Sequence, residues 1–154
     1  MAGVVDLDRV RELSARESGL AVAVTVRDDG LPRASVVNAA VINHPLTHEP
    51  VLAFVSRGAV RKLADLRTRR HVTVLFRSGW DWLAVEGEAE LAGPDDPLER
   101  LDADGASGLV NDIYAAAVGG TPEDWTQLDA VMAEERHTAV LITPTRVYPS
   151  TNSH

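Results

Sequence analysis

The segment LAVAVTVRDDGLPRASVVNAAVI, Leu20 to Ile42, decides the fold class. Its first seven residues are uncharged and rich in β-branched side chains, a pattern typical of a buried strand. Asp28, Asp29 and Gly30 follow, and because aspartate and glycine tolerate positive φ, they predict a hairpin turn. The chain then returns through Pro32 to Ile42. The segment therefore predicts two neighbouring antiparallel strands.

Four further segments have the composition of strands. Gly87, inside the longest of them, predicts a bulge or a close backbone approach. A parallel sheet requires a helix after nearly every strand, and the sequence does not show these helices. We therefore predict a mainly β fold with flanking helices, in which six antiparallel strands close into a barrel and remove its edges. The four additional strands are Val51 to Ser56, His71 to Phe76, Trp80 to Gly93 and His137 to Tyr148.

Helices are predicted in three places. Asp6 to Glu17 has apolar residues at three-residue spacing. The second helix runs from about Ala59 to Thr68, and residues 94–136 are largely helical, with a helix start at Thr121. We expect one domain over residues 1–154, with the helical excursion at about 95–136. In the second helix, Val60, Leu63, Ala64 and Leu66 form the predicted apolar side, and Arg61, Lys62, Asp65 and Arg67 form the charged side.

Composition excludes several classes of protein. The chain contains no cysteine, so neither disulfides nor thiolate metal sites can form. Charged residues interrupt the N-terminal region where a signal peptide needs an apolar core, and no apolar run approaches the roughly 20 residues of a membrane span. We therefore expect a cytoplasmic protein. The net charge of −8 argues against general nucleic-acid binding, since most of the surface would repel a phosphate backbone.

Positive charge is concentrated in one stretch, SRGAVRKLADLRTRR, Ser56 to Arg70. Six cationic side chains and one acid give this stretch +5, so the other 139 residues carry −13. Fourteen of the fifteen cationic residues in the chain are arginine, and the one lysine, Lys62, lies here. An acidic protein that gathers its cations in one place indicates a site for an anionic ligand.

The stretch leaves a strand and opens a helix, whose N-terminus presents free N–H groups and a partial positive charge. Gly58 would let the backbone approach a ligand closely, and Arg61 and Lys62 fall in the first helical turn. Together with the Ser56 hydroxyl, these groups outline a phosphate site. Local spacing alone leaves an alternative open, a solvated basic helix face whose surface ion pairs contribute little.

Other candidate sites are weaker. His44 and His48 are four residues apart, but the proline between them places them in a loop, so we expect no metal site. Trp80 and Trp82 flank Asp81 at the start of a strand; core or interface packing is the favoured interpretation for each, and a border to a flat ring is the alternative. The sequence has no GxGxxG, Walker or GxSxG motif, and its scattered acids single out no catalytic pair.

Four segments in order resemble a known family. They are DDGLPRASVV (Asp28 to Val37), VLAFVSRGAVRKLADLRTRRHVTVLF (Val51 to Phe76), GWDWLAVEGEAEL (Gly79 to Leu91) and EDWTQLDAVMAEERHTAVLITPTRVY (Glu123 to Tyr148). This order resembles the split β-barrel superfamily of pyridoxamine phosphate oxidases, and most closely the small deazaflavin-dependent branch that uses coenzyme F420. The resemblance covers nearly the whole chain. It implies a six-stranded antiparallel split β-barrel of the FMN-binding type, assembled as a homodimer with two cofactor sites at the subunit interface.

The resemblance also implies site residues. A serine at the end of the third strand and a basic pair hold the cofactor phosphate, which assigns that role to Ser56, Arg61 and Lys62. The strand after the GxP turn would lie against the tricyclic ring, and a Gly-Trp pair would lie near the cofactor or substrate. The candidate cofactor-binding residues are Ser35, Val37, Asn38, Ser56, Arg57, Arg61, Lys62, Arg67 and Trp80.

Two positions depart from the family pattern. Val60 stands where the family often has arginine, with Arg61 adjacent to it, and this affects which side chain contacts the phosphate. Arg69 and Arg70 replace a common Asp-Pro, which adds positive charge suited to the acidic tail of the deazaflavin.

The implied activity is F420-dependent reduction, in which a hydride passes from the reduced cofactor to an unsaturated organic substrate. The residues assign no catalytic side chain and name no substrate; water, Tyr114, Tyr148 and a nearby arginine are open candidates for a proton donor. The alternatives are an FMN-dependent oxidase or reductase on the same barrel, and a non-catalytic protein that binds or carries F420. The expected partners are a small-molecule substrate and a second copy of the chain, with no nucleic acid and no membrane.

Overall fold

The computed structural model describes residues 6–57, 60–118 and 136–149. They form six strands and three helices. The predicted helix start at Thr121 and the role given to Gly58 lie outside the described residues. In chain order the elements are α1 (Asp8–Arg16), β1 (Leu20–Val26), β2 (Pro32–Asn43), β3 (Pro50–Ser56), α2 (Arg61–Thr68), β4 (His71–Ser78), β5 (Asp81–Ala92), α3 (Ala103–Val118) and β6 (Thr138–Tyr148).

The six strands close into an antiparallel barrel in the order β1-β2-β3-β6-β5-β4, which confirms the predicted fold class. The opening hairpin forms as expected: Gly30 has φ of 84°, and the Arg27 N–H donates to the Leu31 carbonyl across the turn. β6 enters the sheet between β3 and β5 and pairs with both. Because every strand has two neighbours, no edge of the barrel is left unpaired.

Side chains alternate between the barrel interior and its outer wall. The interior holds fully buried residues from most strands, including Phe54, Phe76 and Ile142, and α1 and α2 add apolar side chains to the same core. On the outside, α3 packs against β2, β3 and β6 around a second apolar cluster that includes Ile113 and Leu141. Helix α3 therefore covers one outer wall of the barrel.

Gly87 lies at an irregularity in the β5–β6 pairing, which confirms the predicted bulge and close approach. A Cβ atom at this position would lie 2.3 Å from the carbonyl oxygen of Thr143 and 2.7 Å from Cγ2 of Ile142. The Thr143 carbonyl is backbone in a paired strand and cannot move aside at low cost. The barrel therefore requires glycine at this position.

We expect Gly87→Ala to lower the free energy of unfolding by about 1–2 kcal/mol, in the range typical of overpacking. Gly108 provides the matched control, because it lies in α3 and a Cβ there would meet nothing within 4 Å. Gly108→Ala should stabilise the protein by about 0.5–1 kcal/mol through helix propensity. Urea denaturation of both variants measures the two changes, and a neutral Gly87→Ala would contradict the close approach.

Helix α2 differs from its predicted two-sided pattern. The helix begins at Arg61, and Val60 before it has extended backbone. Asp65, predicted on the charged side, is buried, whereas Ala64, predicted on the apolar side, is exposed. The prediction was wrong here because it treated every charged side chain as solvated. Asp65 is buried because it forms hydrogen bonds within the fold, which are described below.

The remaining differences are small. Residues 94–102 form turns before α3 begins at Ala103, so the predicted helical excursion starts later than expected. Among the residues that the structure describes, no helix is both long and apolar enough to cross a bilayer.

Candidate functional site

A cavity of about 310 Å³ opens where β2, the end of β3, the start of α2 and helix α3 meet. Five predicted site residues line it together: Val37, Asn38, Ser56, Arg57 and Lys62. The barrel thus brings the end of one strand and the first turn of the basic helix to a single place. The other described lining residues are Val36, Val55, Val60, Ile113, Tyr114, Ala117 and His137.

Ser56 ends β3 at the floor of this cavity. Its backbone pairs with Thr138 on β6, which fixes its position, and the residue is only 6% exposed. Its hydroxyl makes no hydrogen bond to any residue within 6–57, 60–118 or 136–149. Buried polar groups are almost always hydrogen-bonded, so this hydroxyl is placed to donate to a ligand in the cavity.

Lys62 lies in the first turn of α2 and is partly buried beside Ser56. Its Nζ lies 5.9 Å from the centroid of the Phe54 ring, within cation–π range. Burial, and secondarily the positive charge of Arg57, lower the pKa of the Lys62 ammonium. Both effects penalise the charged form, and an anion in the cavity would relieve that penalty.

The basic stretch divides into two parts. Arg67 and Arg69, at the far end of α2, pair with Asp96 at 2.6 Å and with Asp28 at 3.0 Å. Arg57 and Lys62, at the cavity, form no ion pair with any carboxylate in the described parts of the chain. The cations at the helix start are therefore available to a ligand, while two at its end are used within the fold.

Asp65 anchors α2 to the opening hairpin. Its Oδ2 accepts hydrogen bonds from Oγ1 of Thr25 and from Nε of Arg33, both at 2.7 Å, and these two donors are cross-strand partners in β1 and β2. Burial alone would raise the pKa of the Asp65 carboxyl. The hydrogen bonds from Arg33 and Thr25 and the neighbouring positive charge outweigh burial and hold that pKa below its usual value. The carboxylate therefore remains ionised beneath the helix that carries Lys62.

Asn38 contributes a fixed amide to the cavity wall. Its Nδ2 donates to the carbonyl of Ser18 at 2.9 Å, which leaves its Oδ1 as an acceptor. Helix α3 supplies the opposite wall through Ile113, Tyr114 and Ala117. The sequence offered Tyr114 only as an open candidate for a proton donor and did not place Ile113 or Ala117 at the site, because no local pattern states which wall a helix 50 residues away will cover.

The structure does not place every predicted residue at the cavity. Ser35 lies further along β2, opposite Ala23, and is half-buried. Arg61 is the exposed first residue of α2 and does not line this cavity. Arg67 lines a different depression beside Arg70 and Asp96.

Trp80 lies on the turn between β4 and β5 and is 92% exposed, so it is not part of the core. Trp82 packs edge-on against Tyr148, with 6.5 Å between ring centroids. Neither tryptophan lines the cavity.

His44 organises a loop. It is buried, its Nδ1 accepts from the Leu46 N–H at 3.1 Å, and its Nε2 lies 3.0 Å from Glu90 Oε1 on β5. His48 is exposed, and its N–H donates to the carbonyl of His44. No group of three or more histidine, aspartate or glutamate side chains in the described residues is arranged to hold a metal ion.

A known protein family matches nearly the whole chain. The family model described as pyridoxamine 5′-phosphate oxidase matches residues 7–149. No curated protein matches the sequence.

Three solved structures share the fold at low sequence identity. A conserved hypothetical protein of Mycobacterium tuberculosis, Rv2991, has 17% identity, covers 99% of this chain and 94% of its own, and gives a TM-score of 0.67. A pyridoxamine 5′-phosphate oxidase-related, FMN-binding protein of Nostoc punctiforme has 12% identity, coverages of 96% and 84%, and a TM-score of 0.67. A protein described as F420 reductase has 19% identity, coverages of 85% and 90%, and a TM-score of 0.54.

The closed six-stranded antiparallel barrel and the family match over residues 7–149 together define the class of fold. This chain belongs to the pyridoxamine 5′-phosphate oxidase family.

Proposed function

We propose that the protein is a coenzyme F420-dependent reductase that binds its cofactor in the cavity between β2, β3, α2 and α3. The observation that carries this proposal is the pair of cations, Arg57 and Lys62, which face the cavity without a carboxylate partner in the described chain. In a protein of net charge −8, such cations mark an anionic ligand. The buried Ser56 hydroxyl beside them adds a hydrogen-bond donor suited to phosphate.

These residues fit a deazaflavin phosphate. Ser56, Arg57 and Lys62 would hold the phosphate, and β2 at Val37 and Asn38 would lie against the flat ring. Ser35 to Asn38 is the segment that the family resemblance gives to the ring, and Val36 to Asn38 lines the cavity. Arg70, which forms no ion pair with a carboxylate in the described chain, would add an attractive field for the acidic tail of the cofactor. Trp80 is exposed on its turn, and its position on the substrate side of the site remains a prediction.

When bound, a reduced deazaflavin supplies a hydride to an unsaturated organic acceptor. The chain contributes binding and orientation, and the apolar walls of Val55, Val60 and Ile113 restrict water. Tyr114 lines the cavity, whereas Tyr148 packs against Trp82. Of the two tyrosines, Tyr114 is therefore the better placed to donate a proton.

The same cavity favours a second candidate, an FMN-dependent oxidase or reductase, because FMN also presents one phosphate beside a tricyclic ring. Titration of the purified protein with F420 and with FMN, followed by tryptophan fluorescence, separates the two. We expect tight binding of F420 and weaker binding of FMN. A yellow protein that retains FMN through purification from a host lacking F420 would overturn the F420 assignment.

A third outcome is a protein that binds F420 without using it. Tight F420 binding with no turnover across a broad panel of unsaturated acceptors would favour a carrier. Turnover of any one acceptor with reduced F420, followed by the rise in absorbance as oxidised F420 forms, would establish the enzyme.

We further propose that the protein is a homodimer whose second subunit completes the cofactor site. The cavity volume of about 310 Å³ is at the lower end of the range for small-molecule sites, roughly 300–1,000 Å³, although F420 is a large cofactor. Val36 lines the cavity, is 68% exposed and pairs with Val22, while Leu20 on β1 is 50% exposed. An apolar outer wall of this kind is typical of a protein interface.

Val36→Asp should therefore dissociate the dimer, because it places a charge on that wall. Leu31→Asp is the matched control, since Leu31 is also exposed but lies at the β1–β2 turn. Analytical ultracentrifugation at micromolar concentration should show a dimer for the wild type and for Leu31→Asp, and a monomer for Val36→Asp. A monomeric wild type would remove the shared site.

A further inference from the structure

A second cavity, of about 330 Å³, lies between the segment 93–103 and helix α3. Its wall is mostly apolar and comes from two separate parts of the chain: Pro94, Pro97, Leu98 and Leu101 before the helix, and Ala106 and Val110 on the helix. Its volume falls within the range typical of sites for small organic molecules. None of the nine residues predicted for the cofactor lines it.

The charge of this second cavity is opposite to that of the first. Its described lining residues include no lysine or arginine and one carboxylate, Asp102. Asp102 lies immediately before α3, and its Oδ1 accepts from the Gly105 N–H at 2.7 Å, so it caps the helix. A negative group at the wall disfavours phosphates and carboxylates, and the apolar surface favours uncharged molecules.

Among their described lining residues, the two cavities share His137, which lies immediately before β6. Helix α3 also serves both, with Val110 at the second cavity and Ile113 at the first. A molecule in the second cavity would therefore lie next to the proposed cofactor site.

We propose that the second cavity binds an uncharged, largely apolar organic molecule. This binding does not depend on the proposed function. The two cavities separate ligands by charge: the cationic cavity would take the anionic cofactor, and the apolar cavity with Asp102 takes a neutral molecule.

A matched pair of fluorescent probes tests the binding claim without any cofactor. Naphthalene-2-carboxamide and naphthalene-2-carboxylate have the same ring and nearly the same size but differ by one charge. We expect the amide to bind the wild-type protein at least about tenfold more tightly than the carboxylate, which corresponds to about 1.4 kcal/mol. Preference for the carboxylate would place the probe in the cationic cavity and overturn the proposal.

Substitutions on α3 locate the probe. Ala106→Trp fills the second cavity and should weaken amide binding at least about tenfold. Ala116→Trp makes the same change on an exposed face of the same helix and should leave binding unchanged. Lys62→Ala should also leave amide binding unchanged, because Lys62 lines only the first of these two cavities. Equal amide binding by Ala106→Trp and the wild type would overturn the site, provided that thermal unfolding shows both variants folded.

Asp102→Asn tests the source of the charge preference. Asparagine also caps a helix N-terminus, so α3 should be retained while the negative charge is removed. The ratio of amide to carboxylate affinity should fall several-fold in this variant. An unchanged ratio would show that Asp102 does not set the preference.

Discussion

Lys62→Ala is expected to raise the dissociation constant of F420 by about one to two orders of magnitude. A charge-assisted hydrogen bond contributes about 1.5–3 kcal/mol, and Lys62 has no carboxylate in the described chain to which its charge is already committed. Its pKa is lowered by burial and by Arg57, so the ammonium is held at a cost that the bound phosphate offsets. Fluorescence titration of the folded variant measures the change directly.

Two controls separate a direct contact from the general positive field of the stretch. Arg69→Ala removes the same charge but from a residue that pairs with Asp28, and should change F420 affinity by less than about threefold. Arg61→Ala removes a charge adjacent to Lys62 that does not line the cavity, and should have an intermediate effect that fades with added salt. Equal losses in all three variants would indicate steering by the whole stretch and would contradict a phosphate contact at Lys62.

Full F420 affinity in Lys62→Ala would refute the phosphate contact at Lys62. It would leave Arg57 as the cation at the cavity and would return the basic stretch to the solvated helix face that local spacing also allows. If Lys62→Ala lost affinity for FMN but not for F420, the result would instead support the FMN-dependent function.

The division of charge within the stretch could not be predicted from sequence. Local spacing shows six cations between Ser56 and Arg70 but not where Asp28 and Asp96, the partners of Arg69 and Arg67, will lie. The partners in these pairs are 29 and 41 positions apart in the sequence, and only the folded chain brings them into contact. What the sequence does predict is the end of a strand followed by a basic helix, because both signals are local.

The barrel was predictable for a related reason. Strand alternation, the turn at Gly30 and the glycine at position 87 are local signals, and closing six antiparallel strands into a barrel removes the sheet edges. The contribution of α3 was not predictable, because an apolar helix face is compatible with several outer walls. Tyr114 and His137 could therefore be noticed in the sequence but not placed beside Ser56.

Asp65 is a second charged residue whose environment could not be predicted from the sequence. A single acid among six cations is most simply interpreted as a solvated charge, yet it is buried at 6% exposure under α2. Its partners, Thr25 and Arg33, lie 40 and 32 residues away on the opening hairpin. The acid in the basic stretch thus attaches the helix to the barrel, while the cations beside it face the ligand.

Asp65→Ala is expected to lower the free energy of unfolding by about 2–3 kcal/mol, or roughly 5–10 °C in melting temperature. The variant leaves the Thr25 hydroxyl buried without its partner and leaves Arg33 without its carboxylate. Because the Arg33 side chain is 28% exposed, water can reach part of it, and the loss should be smaller than for a fully buried pair. Asp28→Ala is the matched control: it removes an exposed partner of Arg69 and should cost about 0.5 kcal/mol or less.

The acid dependence of stability provides an independent test. The pKa of Asp65 is lower in the folded protein than in the unfolded chain, so its stabilising contribution is fully present above the unfolded value of about 4 and is lost as pH falls through the folded value. The difference in unfolding free energy between the wild type and Asp65→Asn should therefore be constant from pH 7 to about pH 5 and shrink below about pH 4. A constant difference down to pH 2 would show that the carboxylate charge is not what holds α2.

The same substitution connects the fold to the site. Asp65 and Lys62 lie on one eight-residue helix, so loosening α2 from the hairpin also loosens the lysine from the cavity wall. Asp65→Asn should therefore weaken F420 binding by a few-fold, although Asp65 does not line the cavity. Combination with Lys62→Ala distinguishes the two roles: once the lysine is absent, removing the anchor should change F420 affinity little, because the group that it positioned is gone.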